Sequence, residues 1–463
     1  MSAQVIIIGG GMAGIKTAID LLNAGVTDVL ILESRDRLGG RLVSVPSTKN
    51  PSVCYDLGAL WFHDALINPL YAKAKKLGNV RVFYDDGKHR VVSESLASVP
   101  EHDIHAIMME MRAFAGLLYS ENPLLPDMSV QQLSQLYLER QRSTLTEHQM
   151  KYAPQLLRMW DEMWGGVLWD KVSVKQAYLA EGEDHVGRNA FVCNGYRTVF
   201  ENELNELPES FRKSRIKLNV TVETLDYSDP TCVSLTTVNG DLYKSQYVVV
   251  TIPFNALSSA KPMLKWTPAL PQHLALVFSE DTRGLLGKVI LEFDECFWPK
   301  DIHRFYCLAS NDDPSGEPRP WKHPTLIVNY YAMTQIPSLV FLTQDPLSSQ
   351  IETLSKQQIW DLFKPVVEQI ATGPIERPIG ILNTPWNNDP LTQGSYTMAR
   401  VGCSSSSDIC GALAKGVNKR VRFAGSETWA GSANGCAHGA WYSGEREAAY
   451  IIDQIRGIGK SRL

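Results

Sequence analysis

Hydrophobic positions follow two rhythms along this chain, and the change between them divides it. Near the N-terminus strand and helix alternate. Gln4-Val5-Ile6-Ile7-Ile8 is a short, β-branched apolar run, predicted to be a buried parallel strand. Ile15, Ala18, Ile19 and Leu22 then recur at helical spacing, and Gly25 is placed to stop that helix. Val29-Leu30-Ile31-Leu32 is predicted as the second strand. From about residue 80 to 185 the alternation gives way to a mainly helical pattern. Ile104, Ile107, Met108, Met111, Phe114, Ala115 and Leu118 form one stripe, most simply core packing. Val130, Leu133, Leu136 and Tyr137 start a second stripe, and residues 146–164 a third, interrupted near Pro154. Strand patterns return at 216–225, 232–238 and 247–252, with Asn239-Gly240 as a hairpin turn. Residues 285–293 are a further strand, 311–324 a Pro-rich polar surface loop, and 351–371 a helix. Residues 422–428 and 435–441 form a second glycine-rich strand–loop–helix.

Bulk properties narrow the classes. At 463 residues the chain is long for one core, so two intertwined domains are expected. Composition, at 44% hydrophobic and 21% charged, is that of a globular protein. A formal charge of −5 leaves no basic footprint for nucleic acid and suits a cationic substrate. The eight cysteines are scattered without a C-x-x-C pair, which points to reduced core residues rather than disulfides or zinc. No apolar run approaches the ~18 residues needed to span a membrane, and no leader is expected before the first strand.

Chemistry enters at the turn after the first strand. Gly9-Gly10-Gly11-Met12-Ala13-Gly14 is a G-x-G-x-x-G, and Glu33 ends the second strand 24 positions after Gly9. Gly9 permits the tight turn, Gly11 lets backbone approach a pyrophosphate, and Gly14 lets helix and strand pack closely. Met12 and Ala13 open the helix, whose N-terminus offers free N–H groups and a positive dipole to phosphate. The Glu33 carboxylate suits ribose hydroxyls and would repel a 2′-phosphate. Dinucleotide binding is the expectation.

The next residues choose the dinucleotide. Glu33-Ser34-Arg35-Asp36-Arg37-Leu38-Gly39-Gly40-Arg41 resembles the E-x-R-x-R-x-G-G-R segment of the flavin-dependent amine oxidases. The resemblance implies FAD rather than NAD, held by Ser34, Arg35, Gly40 and Arg41 as well as by the glycine loop. At least one of Arg35 and Arg37 is equally well read as a solvated charge. Asp56-Leu57-Gly58-Ala59-Leu60-Trp61-Phe62-His63 is similar to the family's D-x-G-A-x-W-x-H, which passes beside the flavin. It implies cofactor contact at Gly58, Ala59, Leu60 and Trp61, with His63 facing the substrate to orient an amine or relay its proton.

Other segments of the same family follow in order. Trp164 and Trp169 match tryptophans of polyamine oxidases, and such walls suit an alkyl-ammonium chain. Asp85 and Asp86, in a turn-like Asp-Asp-Gly, occupy the place where those enzymes bind a distal ammonium; a solvated turn explains them equally well. His185-Val186-Gly187-Arg188-Asn189 resembles H-x-G-R-N, implying His185 and Asn189 near the amine, although four extra residues precede it at 181–184. Val222 matches a backbone contact to adenine. Gly287-Lys288-Val289 implies that Lys288 reaches flavin N5 through a water, with Leu286 beside the substrate. Trp386 and Tyr396 belong to the last approach to the flavin, where Ser395 replaces the cysteine that monoamine oxidases bond to FAD. Gly425, Ser426 and Glu427, with Cys436 and Ala437 opening a helix toward the flavin, complete the cofactor set; His438 is assigned to the substrate side.

Taken together the resemblance implies a fungal-type, FAD-dependent polyamine oxidase. The expected fold is a Rossmann-like, two-layer α/β FAD domain (1–80, 188–270 and 397–463) intertwined with an α+β substrate domain (81–187 and 271–396). A neutral amine would lose hydride from its α-carbon to flavin N5, the imine would hydrolyse, and O2 would yield H2O2, with no metal. FAD would be non-covalent. Spermine, spermidine and acetylated forms are not separated. Three alternatives fit less well. An L-amino-acid oxidase needs a guanidinium clamp with no clear candidate. A histone-demethylase-like enzyme needs a docking insertion, and a non-enzymatic flavoprotein leaves Lys288 and His63 unexplained. The terminal Ser461-Arg462-Leu463 is similar to the peroxisomal Ser-Lys-Leu address, so an import receptor is an expected partner.

Overall fold

The structure is a computed structural model that describes residues 1–180, 185–310 and 319–457. The insertion at 181–184, most of the 311–324 loop and the terminal tripeptide lie outside the described residues.

The first sheet is built outward from β1 (Ser2–Ile8), whose Val5 to Ile7 are fully buried. One parallel neighbour is β2 (Val29–Leu32), in the register Ile6↔Leu30; the other is the strand Leu242–Val250, in the register Ile6↔Val248. Burial on both faces explains why residues 5–8, β2 and residues 248–250 are apolar without alternation. Strand 242–250 serves two further neighbours. Its first half pairs antiparallel with Val233–Thr237, and its last three residues pair parallel with Val421–Phe423. Gly240, at φ 84°, makes the expected hairpin turn.

α1 (Met12–Asn23) and the C-terminal helix Ala437–Arg456 pack on this sheet against each other. The approach requires glycine at 444, where a Cβ would stand 2.4 Å from the Ala13 carbonyl oxygen. The Thr17 hydroxyl donates to the carbonyls of Ala13 and Gly444 and pins the pair.

The second sheet has six strands in the spatial order 380–383, 286–292, 338–344, 325–329, 304–307 and 89–92. Its faces separate by the two-residue strand period. Val289, Leu291 and Phe341 pack under the helix Lys356–Ile370, while Ile290, Val340 and Leu342 meet the helical segment through Met159 and Met163. A small three-stranded sheet of Trp61–Phe62, Ala190–Val192 and Val82–Phe83 joins segments distant in sequence. No helix among the described residues is long and apolar enough to cross a membrane.

Four expectations change. The run 216–225 is two strands, Ile216–Lys217 beside β2 and Val222–Asp226 beside 233–237, because the intervening residues carry the chain to the far half of the sheet. Residues 80–185 include the strands Val82–Phe83 and His89–Val92, whose pairing partners come from residues 190–192 and 304–307. Pro154 does not interrupt its helix. It is buried inside Glu147–Arg158, and the irregularity comes later, where the helix widens to π geometry over Met159–Met163. The expected helix at 351–371 begins at Lys356, where Ser355 and Gln358 form a reciprocal capping box.

Candidate active site

The glycine turn has the shape a pyrophosphate needs. Gly9 sits at φ 113°, and a Cβ on Gly14 would lie 2.2 Å from the Gly9 carbonyl oxygen. At Gly11, by contrast, an added Cβ would meet nothing within 4 Å, so the turn faces open space. Glu33 folds its carboxylate over the turn, accepting from Gly10 N at 2.7 Å and Arg35 N at 2.8 Å. The helices starting at Val130, Glu147, Lys356 and Ser406 have full capping boxes. α1 and the helix Ala437–Arg456 start with no side-chain cap, at Gly11 and Cys436. Their first amides are therefore free for a bound anion or carbonyl, which fits a dinucleotide cofactor between them.

Arg41 locks the two glycine-rich halves together. Its guanidinium pairs with Glu427 and donates to the Ser426 hydroxyl and the Ser395 carbonyl. Burial alone would raise the Glu427 carboxyl, but Arg41 outweighs it and holds the group below its ordinary range. Arg35 pairs with Asp389 at 2.6 Å, and Arg37 donates to the Gly40 carbonyl, so neither is a free surface charge. Gly58 passes so close to Arg41 that a Cβ would overlap its carbonyl oxygen at 1.7 Å. Ser34, Ala59 and Leu60 flank these contacts, Leu60 being buried. Trp386 donates to the Leu57 carbonyl, and Val222 is buried beside Thr237. Ser395 exchanges hydrogen bonds with the Leu286 backbone, its hydroxyl donating to Leu286 O at 2.8 Å. The Cys436 thiol, at the N-cap, is pushed up by burial to about 12.

Lys288 is buried in its strand, and its ammonium donates to the carbonyls of Asp56 at 2.8 Å and Gly58 at 2.5 Å. Burial lowers its proton affinity, an effect that the Asp56 charge opposes, while burial raises the Asp56 carboxyl. Asp56 itself accepts the Tyr196 amide and the Ser44 hydroxyl.

The third group surrounds His63. Its Nδ1 lies 2.9 Å from Asn189 Oδ1, and its ring stacks on His185 with centroids 4.7 Å apart. Burial, reinforced by His185, drives its proton affinity down to about 3, so the imidazole is neutral. Trp61 stands between His63, at 6.3 Å, and Trp164, at 6.1 Å edge-on. Tyr396 closes the wall, its hydroxyl donating to the Trp164 carbonyl while Gly435 lies against its Cβ. Trp169 is not drawn into this group: it packs against Arg158 and donates its amide to buried Glu162. Asp85 and Asp86 already have partners. Asp85 is buried between Arg304, at 2.8 Å, and the Trp61 indole N–H, at 3.0 Å. Asp86 pairs with Arg188 nearer the surface.

These contacts join residues 56–63, 164, 185–189, 286–288, 395–396 and 425–438 into one connected cluster. The family model for flavin-containing amine oxidoreductases matches residues 12–452. This chain belongs to that family. A flavin is accordingly its cofactor. Among relatives of this amine oxidoreductase, the corticosteroid-binding protein of Candida albicans is 31% identical, covering 98% of this chain and 96% of the relative. Polyamine oxidase 4 of rice is 27% identical over 95% of this chain and 87% of its own length. A lysine-specific histone demethylase homologue of rice is 26% identical, with 57% of that longer protein covered. Putrescine oxidase bound to putrescine shares the fold, with a TM-score of 0.73 at 19% identity, covering 98% of this chain and 99% of that one.

Two residues of the amine oxidoreductase site escaped sequence reasoning: Asp64 and Arg304. Asp64 directly follows the D-x-G-A-x-W-x-H motif and looks like an ordinary turn acid, while Asp56, the motif's first residue, carries no role in the sequence alone. Arg304 comes from a strand more than two hundred residues from Asp85, and one sequence carries no signal for that pairing.

Proposed function

We propose that this enzyme oxidises polyamines (spermine, spermidine or their N-acetylated forms) with non-covalently bound FAD and O2, giving an aldehyde, a shorter amine and H2O2. The observation that carries the reading is a neutral imidazole beside an aromatic wall. With Asn189 Oδ1 as acceptor, His63 carries its proton on Nδ1, so Nε2 keeps a lone pair to accept a hydrogen bond from an incoming amine. Trp61 and Trp164 offer methylene contact and ring faces to a cationic chain. A protonated lysine has three N–H donors, of which Lys288 gives two to carbonyls and keeps one for a water or a bound group. FAD held by the glycine turn, Glu33 and Arg41 would supply a hydride acceptor for the amine α-carbon and a route for the electrons to O2. Ser395 offers no thiolate, and its hydroxyl is engaged by Leu286, which supports a non-covalent cofactor. Acid precipitation should leave the flavin in the supernatant; a yellow pellet contradicts this part.

Asp85 works through Trp61 in this reading, since Arg304 already matches its charge. A substrate with a neutral distal end, such as an N-acetylated polyamine, therefore fits as well as a free one. The terminal Ser-Arg-Leu supports peroxisomal import, tested by the location of a fluorescent fusion with and without the tripeptide.

The test is a peroxide assay over free and acetylated polyamines, monoamines and L-amino acids, with the aldehyde and amine products identified. Activity confined to L-amino acids contradicts the proposal. The name of the Candida relative supports a second reading, an apolar steroid-like ligand between the same tryptophans. It predicts that a corticosteroid competes with the amine.

A further inference from the structure

Three histidines and one carboxylate meet beside the proposed amine site. Asp64 is completely buried, and its backbone is held at φ 55° in the left-handed region. Its Oδ1 accepts the Val186 amide at 2.6 Å and faces His185 Nδ1 at 3.1 Å. Its Oδ2 faces His438 Nε2 at 2.8 Å and accepts the Ser432 hydroxyl at 3.1 Å. Among the described residues no lysine or arginine pairs with it. A buried carboxylate without a cation needs this density of donors. Burial opposes its ionisation, but the Val186 amide and the two imidazoles outweigh burial and keep it charged.

The contacts decide two tautomers. A carboxylate accepts only, so His185 must carry hydrogen on Nδ1 and His438 on Nε2. His185 in turn stacks flat on His63, 4.7 Å away and 11° from parallel. Asp64 therefore holds the ring against which His63 is placed, and it is adjacent to His63 in sequence. The other titratable groups facing this cluster are the Cys436 thiol and the Tyr442 hydroxyl, on the helix that begins at Ala437.

We propose that Asp64 is a positioning residue for the amine site, fixing the tautomers of His185 and His438 and, through the His185 stack, the placement of His63. It also supplies a buried negative charge beside a site that receives a cation. The inference rests on the reading of His63 and Asn189 as the amine-facing pair.

Asp64→Asn separates charge from shape. Asparagine tolerates the left-handed backbone as well as aspartate does and keeps an acceptor for Val186 N. The measurement is NMR of the holoenzyme with labelled histidine, assigned with His185→Gln and His438→Gln: nitrogen shifts report the two tautomers, and the titration of His438 is followed. Losing the facing carboxylate lowers the His438 titration by roughly one pH unit or more and releases the Nδ1–H tautomer of His185. Unchanged tautomers with an unchanged His438 titration overturn the proposal, including when the melting temperature falls, because that outcome marks a merely structural tie. Should Asp64→Asn fail to fold, His185→Gln still decides, since the variant residue is exposed. With the competing imidazole gone, Asp64 acts on His438 alone, whose titration should rise; no change overturns the proposal. If the wild-type enzyme oxidises no amine, the reading of the site fails while the NMR titrations still decide whether Asp64 governs these histidines.

Discussion

Asp85 carries its partners inside the fold, and the consequence of removing it differs from that of removing its neighbour. Asp85→Asn leaves the Arg304 guanidinium buried and frees the Trp61 indole. Breaking a buried pair from one side costs about 3–5 kcal/mol, so a large fall in melting temperature is expected. Asp86→Asn breaks only a surface pair with Arg188 and should leave melting unchanged. Thermal unfolding of both variants checks this, and equal melting temperatures would contradict it. Lys288→Met should leave flavin content intact and slow turnover by on the order of a hundredfold, because it removes a buried donor fixed by two carbonyls. Stopped-flow measurement of reduction and reoxidation locates the loss, and unchanged rates in both contradict the assignment. At this scale the sequence was uneven evidence. His63 and Asn189 could be named in advance because each stands in a dense motif, and the structure puts them in contact. Arg304 could not, because ion pairing across a sheet depends on topology rather than spacing.

Elements repeat that contrast. β1, α1 and β2 were legible because their pattern is local: a β-branched run, a glycine turn and a 3.6-residue period. The split of 216–225 and the π widening at 159–163 were not, since both answer to neighbours far along the chain. Glycines give the sharpest test here. Gly58→Ala forces a methyl into the Arg41 carbonyl, and relief must move either the Arg41–Glu427 lock or the carbonyl that holds Lys288. Overpacking of this kind costs about 1–3 kcal/mol or more, and flavin should be lost on gel filtration. Gly116→Ala, in the interior of the helix His102–Glu121 with nothing within 4 Å of the new Cβ, should instead raise stability by up to ~1 kcal/mol. Flavin retained by Gly58→Ala at wild-type level would contradict the account.

For the whole molecule, the family and the two-sheet architecture follow from segments spread over nearly all of the chain. Substrate choice does not follow from architecture, since relatives with this fold include a polyamine oxidase, a histone demethylase homologue and a corticosteroid-binding protein. The account rests on an aromatic wall and a neutral His63 receiving a polyamine at a flavin. Anaerobic mixing of the purified holoenzyme with excess spermine, spermidine or their N-acetylated forms tests this most directly, followed by flavin absorbance. The account predicts that the oxidised flavin band bleaches with at least one of them and returns, with stoichiometric peroxide, when air is admitted. An oxidised spectrum that persists with every polyamine would contradict it.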